Sequence, residues 1–285
     1  LQTDSNILKN IKLVVFDIDG TLITSKGDID AQTAKLVKRL QNDFEVCFSF
    51  ASGRLHSAVT DYAKELNIRV PLISLDGSLI KAADADKSIF EAIVNESHIY
   101  KTIKLADRFL VKIALCHANE IFYTENNEAL LGITNRFGAK FTLVDSYKEV
   151  YDKTLEIFLA GENYDYIKYI SEKMSFPYSF GLSCNYSKSQ SNKGIYYLEI
   201  RKKGCTKKTG LIKLLKYLKL NIRNCAIMGD WYNDLPLFET KAYKVAIENA
   251  VPEIKRMADL VTKNDNNNGG VSEFLEKLLK AKMES

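Results

Sequence analysis

The stretch Phe16-Asp17-Ile18-Asp19-Gly20-Thr21-Leu22 closes the apolar run Leu13-Val14-Val15 with two carboxylates and a turn. A short, continuous apolar run that stops at Asp-Gly reads as a fully buried parallel strand. Residues two apart in an extended strand end point to the same side, so Asp17 and Asp19 face one site at the carboxyl edge of a sheet. Gly20 permits the sharp turn that follows. One carboxylate can attack phosphorus and form an acyl phosphate, while a second protonates the leaving oxygen and later deprotonates water.

The same punctuation recurs outward from this stretch. Asp30 can cap a helix with Ala34, Val37 and Leu40 on its apolar face. A second strand over 45–51 ends at Ser52-Gly53-Arg54, and a helix presenting Val59, Tyr62, Ala63 and Leu66 follows. A third run over 71–75 stops at Asp76-Gly77. Strand and breaker units separated by helices are the start of an open α/β sheet. After residue 80 the pattern changes. Residues 81–88 read as a polar linker, and strands near 112–115, 121–124 and 155–159, with helices near 127–137 and 164–173, suit a smaller α+β module. Residues 194–200, a helix from about 209 to 220, strands at 226–228 and 245–247, and a helix over 272–280 read as a return to the first style. The expected fold class is therefore α/β, a Rossmann-like core sheet built from 1–83 and 189–285 and interrupted by an α+β module over 84–188.

Three further strand ends carry chemistry. The Ser52 hydroxyl and neighbouring backbone N–H groups can hold a phosphate oxygen at a helix N-terminus. A lysine early in the helix after 194–200 would reduce the repulsion between phosphate and carboxylates, and Lys207 and Lys208 both qualify by position. In Gly229-Asp230-Trp231-Tyr232-Asn233-Asp234, Asp230 sits at a strand end as Asp17 and Asp19 do. Three oxygen ligands with waters and a phosphate oxygen make an octahedral magnesium site. Asp234, four residues on, is placed to orient the lysine or metal-bound water. Trp231 and Tyr232 suit either sheet-edge packing or a floor for an organic leaving group.

With these motifs in place, the sequence resembles the haloacid dehalogenase superfamily, and within it the Cof-type phosphatases that carry a large cap after the third core strand. The resemblance spans essentially the whole chain and makes the 84–188 module a substrate-specificity cap on a haloacid dehalogenase-like core. It implies that Asp17 is the nucleophile and Asp19 the acid/base whose carbonyl also binds metal, that Ser52 binds phosphate, and that Lys207 is the motif lysine in preference to Lys208. It makes Asp17, Asp19 and Asp230 the Mg2+ ligands, with Asp234 behind them. It also places Gly53, Asp76, Gly77, Asn233 and Asn249 around the substrate. Asp76 stands where relatives commonly have asparagine. Unless paired with a lysine or turned away, it adds negative charge that disfavours dianionic substrates. Glu248, before Asn249, replaces a usual glycine.

Composition bounds the remaining readings. The net charge is only +4, with 40 Lys plus Arg against 36 Asp plus Glu, so no nucleic-acid partner is expected. Residues 84–188 hold 12 basic and 15 acidic side chains, a net of −3 that leaves +7 elsewhere. The five cysteines are scattered, odd in number and without metal spacing, as in a reducing compartment. No apolar run is long enough for a membrane span and no signal peptide stands out, so a cytoplasmic location is expected. The expected activity is hydrolysis of a small phosphorylated metabolite, such as a sugar phosphate or pyridoxal phosphate. A phosphomutase or a non-catalytic phospholigand-binding module would use the same residues.

Overall fold

The computed structural model of the chain describes residues 2–124, 139–189 and 194–284, so the helix expected near 127–137 lies outside the described residues. Helix α1 (Gln2–Lys9), strand β1 (Leu13–Phe16), α2 (Ala31–Phe44) and β2 (Cys47–Phe50) come first, then α3 (Ser57–Glu65), β3 (Leu72–Ser74) and β4 (Leu79–Lys81). A middle section holds β5 (Phe90–Glu91), α4 (Glu96–Phe109), β6 (Lys112–Cys116), β7 (Glu120–Tyr123), β8 (Lys140–Leu143), β9 (Glu156–Gly161), α5 (Tyr164–Lys173), β10 (Leu182–Lys188) and β11 (Tyr196–Lys202). The chain ends with α6 (Lys207–Leu218), β12 (Cys225–Gly229), α7 (Leu235–Phe238), β13 (Tyr243–Ala246), α8 (Pro252–Met257), β14 (Leu260–Val261) and α9 (Gly270–Met283). Two compact units result. The first takes the chain up to Gly53, Val59–Ile89 and everything from Thr206, and the second takes Arg54–Ala58 and Phe90–Cys205.

The first unit is a parallel sheet ordered β14-β13-β12-β1-β2. β1 is central, with Phe16 opposite Met228 on one side and Phe50 on the other. Its four residues are all buried, which explains the unbroken apolar run. Helix α2 starts because the Asp30 side chain accepts the Thr33 N–H at 3.0 Å. It stops at Glu45, whose left-handed backbone (φ 53) ends the turn. Leu36, Val37 and Leu40 of α2 join Val14, Phe48 and the α9 residues Phe274 and Leu278 in one core. Each such side chain contributes about 1.5–3 kcal/mol by leaving water. β3 does not extend the sheet as a full parallel strand. A single bridge links Ile73 to Ala51, after which the chain doubles back and β4 pairs antiparallel with β3. The cause is the backbone at Leu75, Asp76 and Gly77, all three at positive φ.

The second unit is a six-stranded sheet ordered β10-β11-β9-β6-β7-β8. Ile113, Leu115, Ile157, Leu159, Leu198 and Ile200 alternate onto one face and pack with Ile99 and Ala106 of α4 and Ile167 and Ile170 of α5. Residues 194–200 do not return the chain to the first sheet. β11 pairs antiparallel with both β9 and β10. Its sequence explains this, because Leu198 and Ile200 alternate with Tyr197, Glu199 and Arg201 as in a strand with one covered face, unlike the unbroken apolar run of β1. Among the described residues no helix is long and apolar enough to cross a membrane.

Candidate active site

The carboxyl edge of the first sheet collects side chains from the ends of β1 and β12 and from the start of α6. The Asp17 N–H continues the ladder by donating to the Met228 carbonyl at 2.9 Å, which fixes the aspartate at the sheet edge. Lys207, the first residue of α6, is fully buried, and its ammonium donates to Asp17 Oδ1 at 2.6 Å and to Asp234 Oδ1 at 2.7 Å. Asp234 Oδ2 accepts the N–H groups of Asp230 (3.0 Å) and Trp231 (3.2 Å), so both of its oxygens are occupied. Asp230 Oδ1 accepts from the Thr21 hydroxyl at 2.7 Å.

Carboxylate oxygens of Asp17, Asp230 and Asp234 lie within 4.8 Å of one another and form a cluster that can coordinate a metal ion. An all-oxygen donor set suits a hard cation. The hydrogen bonds divide the three. Asp17 and Asp230 each keep one oxygen without a protein donor among the described residues, whereas Asp234 is committed to Lys207 and two backbone amides.

The electrostatics follow from burial. Burial pushes the Asp17 carboxyl well above the ordinary carboxylate range, Asp234 and Asp230 add to that, and Lys207 opposes it. Asp230 is pushed up to about 6, again first by burial, with the Thr21 hydrogen bond pulling the other way. Burial pulls the Lys207 ammonium toward its neutral form, but Asp17, Asp234 and Asp76 together outweigh it and hold the ammonium charged. Three buried carboxylates against one ammonium leave surplus negative charge, which a divalent cation would neutralise.

Two glycines let these groups approach. Gly20 has φ +78, and a Cβ there would come within 2.4 Å of Asp230 Oδ2. Gly77 has φ +95, and its Cβ would meet the Thr206 carbonyl oxygen at 2.3 Å, just before Lys207. Thr206 caps α6, its hydroxyl accepting the Thr209 N–H at 3.2 Å.

The other expected residues fall into place unevenly. Ser52 is buried, its N–H donating to the Ile73 carbonyl at 2.9 Å and its own carbonyl accepting the Asp76 N–H at 3.0 Å. Gly53 lies against Asp76, whose Oδ1 accepts from Asn233 Nδ2 at 3.3 Å. Asp76 is thus turned toward Asn233, and its charge supports Lys207, so the sequence-based concern about an uncompensated charge does not apply in full. Asn249 Nδ2 donates to the Gly20 carbonyl at 2.8 Å and pins the turn after Asp19. Asp19 is exposed where Asp17 is buried. Lys208 points away and pairs with Glu239 at 3.0 Å. Glu248 meets Lys255 at 3.6 Å. Trp231 and Tyr232 are 45% and 50% exposed, with rings 5.3 Å apart, so neither is sheet-edge packing.

Sequence reasoning missed Thr21 as the holder of Asp230, and it missed the asparagine run near 266. Asn266 donates its N–H to Asn249 Oδ1 at 3.0 Å and its side-chain amide to the Ile23 carbonyl at 2.8 Å. Asn267 Oδ1 accepts the Ser25 N–H at 2.8 Å. The available signal was the density of short amides just before Gly269-Gly270.

Comparisons with known proteins bear on the family and the fold. A model of the haloacid dehalogenase-like hydrolases matches residues 14–275. The stress response protein YhaX of Bacillus subtilis is 25% identical over 90% of this chain and 90% of its own. The 5-amino-6-(5-phospho-D-ribitylamino)uracil phosphatase YwtE of the same organism is 24% identical over 94% of this chain and 98% of its own. A haloacid dehalogenase-like hydrolase from Bacteroides thetaiotaomicron shares the fold with a TM-score of 0.83 at 21% identity, covering 94% of this chain and 99% of that one. A family match reaching from β1 into the last helix, over a core sheet with an inserted α+β unit, leaves one assignment: the chain belongs to the haloacid dehalogenase-like hydrolase family.

Proposed function

We propose that the enzyme hydrolyses small phosphomonoesters with Mg2+ and that Asp17 carries the phosphoryl group between the two half-reactions. The observation that carries this reading is the hydrogen-bond division at the sheet edge. Lys207 takes one oxygen of Asp17 and leaves the other free to attack, and Asp234 holds Lys207 in place. In the first step a bond forms from the Asp17 oxygen to phosphorus as the ester oxygen leaves, taking a proton from the Asp19 carboxyl. In the second, Asp19 recovers a proton from water as the water oxygen displaces Asp17 and releases inorganic phosphate. Bound Mg2+, with Asp17, Asp230 and the Asp19 carbonyl as ligands, would supply positive charge to the transferring phosphoryl oxygens.

Ser52, Gly53 and Lys207 supply donors for the phosphate. Asp76, Gly77, Asn233 and Asn249 shape its surroundings, acting through the turn and the contacts described above. The substrate is a small phosphorylated metabolite such as a hexose phosphate or pyridoxal phosphate. The name of the relative YwtE, a phosphatase of a phosphorylated ribitylaminouracil, supports a small phosphorylated metabolite as substrate. Five free cysteines support a reducing compartment such as the cytoplasm. The test is phosphate release across a broad panel of phosphomonoesters with and without Mg2+. Release that stops on chelation and resumes with Mg2+ is expected. Full activity after exhaustive removal of divalent ions would reject the metal assignment.

A further inference from the structure

Among the described residues, the second unit ends on an unprotected edge. β10 is the outermost strand of the six-stranded sheet, and among the described residues only β11 pairs with it. Its seven residues, Leu-Ser-Cys-Asn-Tyr-Ser-Lys, hold no proline, and the side chains from Asn185 to Lys188 are all exposed. Its one charge, Lys188, is at the very end. Native edge strands of this length are normally blunted by central charges, proline or a bulge, because a row of unpaired N–H and C=O groups invites another strand. Just before it, Phe176 and Phe180 are 75% and 67% exposed, with rings 5.4 Å apart. Exposed aromatic rings beside an open edge mark an interaction surface.

We propose that this edge binds a second copy of the chain, β10 against β10, antiparallel about a two-fold axis through Asn185. The strand's own sequence favours this occupant. Pairing about Asn185 sets Cys184 opposite Tyr186, Ser183 opposite Ser187 and Leu182 opposite Lys188, so no like charges face each other. Lys188 of one copy falls diagonally beside Phe180 of the other, which places an ammonium near an exposed ring. An antiparallel strand pair of this kind is self-complementary, as a two-fold interface requires. The two sheets would join into one. The proposal is independent of the catalytic reading.

Light scattering on the intact protein at about 100 μM, well above a micromolar dissociation constant, tests it. The expected mass is twice 32.3 kDa. Asn185→Lys places two ammonium groups opposite each other across the axis and Asn185→Asp places two carboxylates there. Each variant alone should run as a single chain with wild-type circular dichroism, and an equimolar mixture should recover the double mass. A wild-type protein of single-chain mass, an Asn185→Lys protein that stays double, or a mixture that fails to pair would each overturn the proposal.

Discussion

Lys207 holds the site together, and its removal has a predictable cost. Its ammonium is buried between Asp17 and Asp234, so Lys207→Met leaves two buried carboxylates facing each other without a cation. Breaking a buried pair in this way costs about 3–5 kcal/mol. Urea denaturation of the metal-free protein should show that loss, and adding Asp234→Asn should recover part of it. The loss should shrink as pH falls, because a protonated Asp17 carboxyl, raised by burial, no longer needs the ammonium. Asp230 gives a second prediction. Its carboxyl is pushed up to about 6 by burial, and a proton and a cation compete for the same oxygen. Mg2+ affinity measured by calorimetry should therefore weaken as pH drops through about 6, with proton release on binding. An affinity flat between pH 5 and 7.5 would remove Asp230 from the ligand set. At this scale the side chains that cluster at the sheet edge were legible in the sequence, since Asp17 and Asp230 sit at strand ends and Lys207, one of two lysines that position allowed, at a helix start. Thr21 and Asn266 were not, because a hydroxyl or amide that holds a neighbour looks the same in sequence as one that faces water.

At the scale of elements, the start of α6 is set by the Thr206 cap and by Gly77, which lies against it. A Cβ at Gly77 would meet the Thr206 carbonyl at 2.3 Å, and the residue's φ of +95 is costly for any other side chain. Gly77→Ala should destabilise the protein by roughly 1–3 kcal/mol through overpacking and also lower kcat, because Lys207 moves with the helix end. Loss of stability with unchanged kcat would show that the turn supports the fold without placing the lysine. Parallel strands β1 and β12 were readable as unbroken apolar runs ending at carboxylate or glycine, and β2 as a mostly apolar run, broken by Ser49, that stops at Ser52-Gly53. β11 was misplaced because position in the chain was given more weight than its alternating pattern, and alternation is what a strand with one covered face requires. β4 was missed because three residues between a turn and a polar segment carry too little periodicity.

For the whole molecule, charge distribution bears on substrate choice. Residues 84–188 carry a net of −3 while the rest of the chain carries +7. The second unit, Arg54–Ala58 with Phe90–Cys205, holds 16 basic and 14 acidic side chains and so carries no net negative charge to repel a second phosphate, and kcat/KM for a sugar bisphosphate should lie within about tenfold of that for the matched monophosphate at fixed ionic strength. A monophosphate favoured by much more than tenfold, about 1.4 kcal/mol in the transition state, would contradict this and leave the phosphatase assignment standing. The two-unit organisation was legible as a change of pattern after residue 80. The point of return was not, because the chain re-enters the first unit only at Thr206. The central claim concerns one bond, between an Asp17 oxygen and phosphorus, and rapid acid quench with a phosphorus-labelled substrate tests it most directly. The account predicts acid-stable, hydroxylamine-sensitive label on the peptide containing Asp17, and neither label nor turnover in Asp17→Asn. Label on another residue, or near-normal turnover by Asp17→Asn protein checked for deamidation, would contradict it.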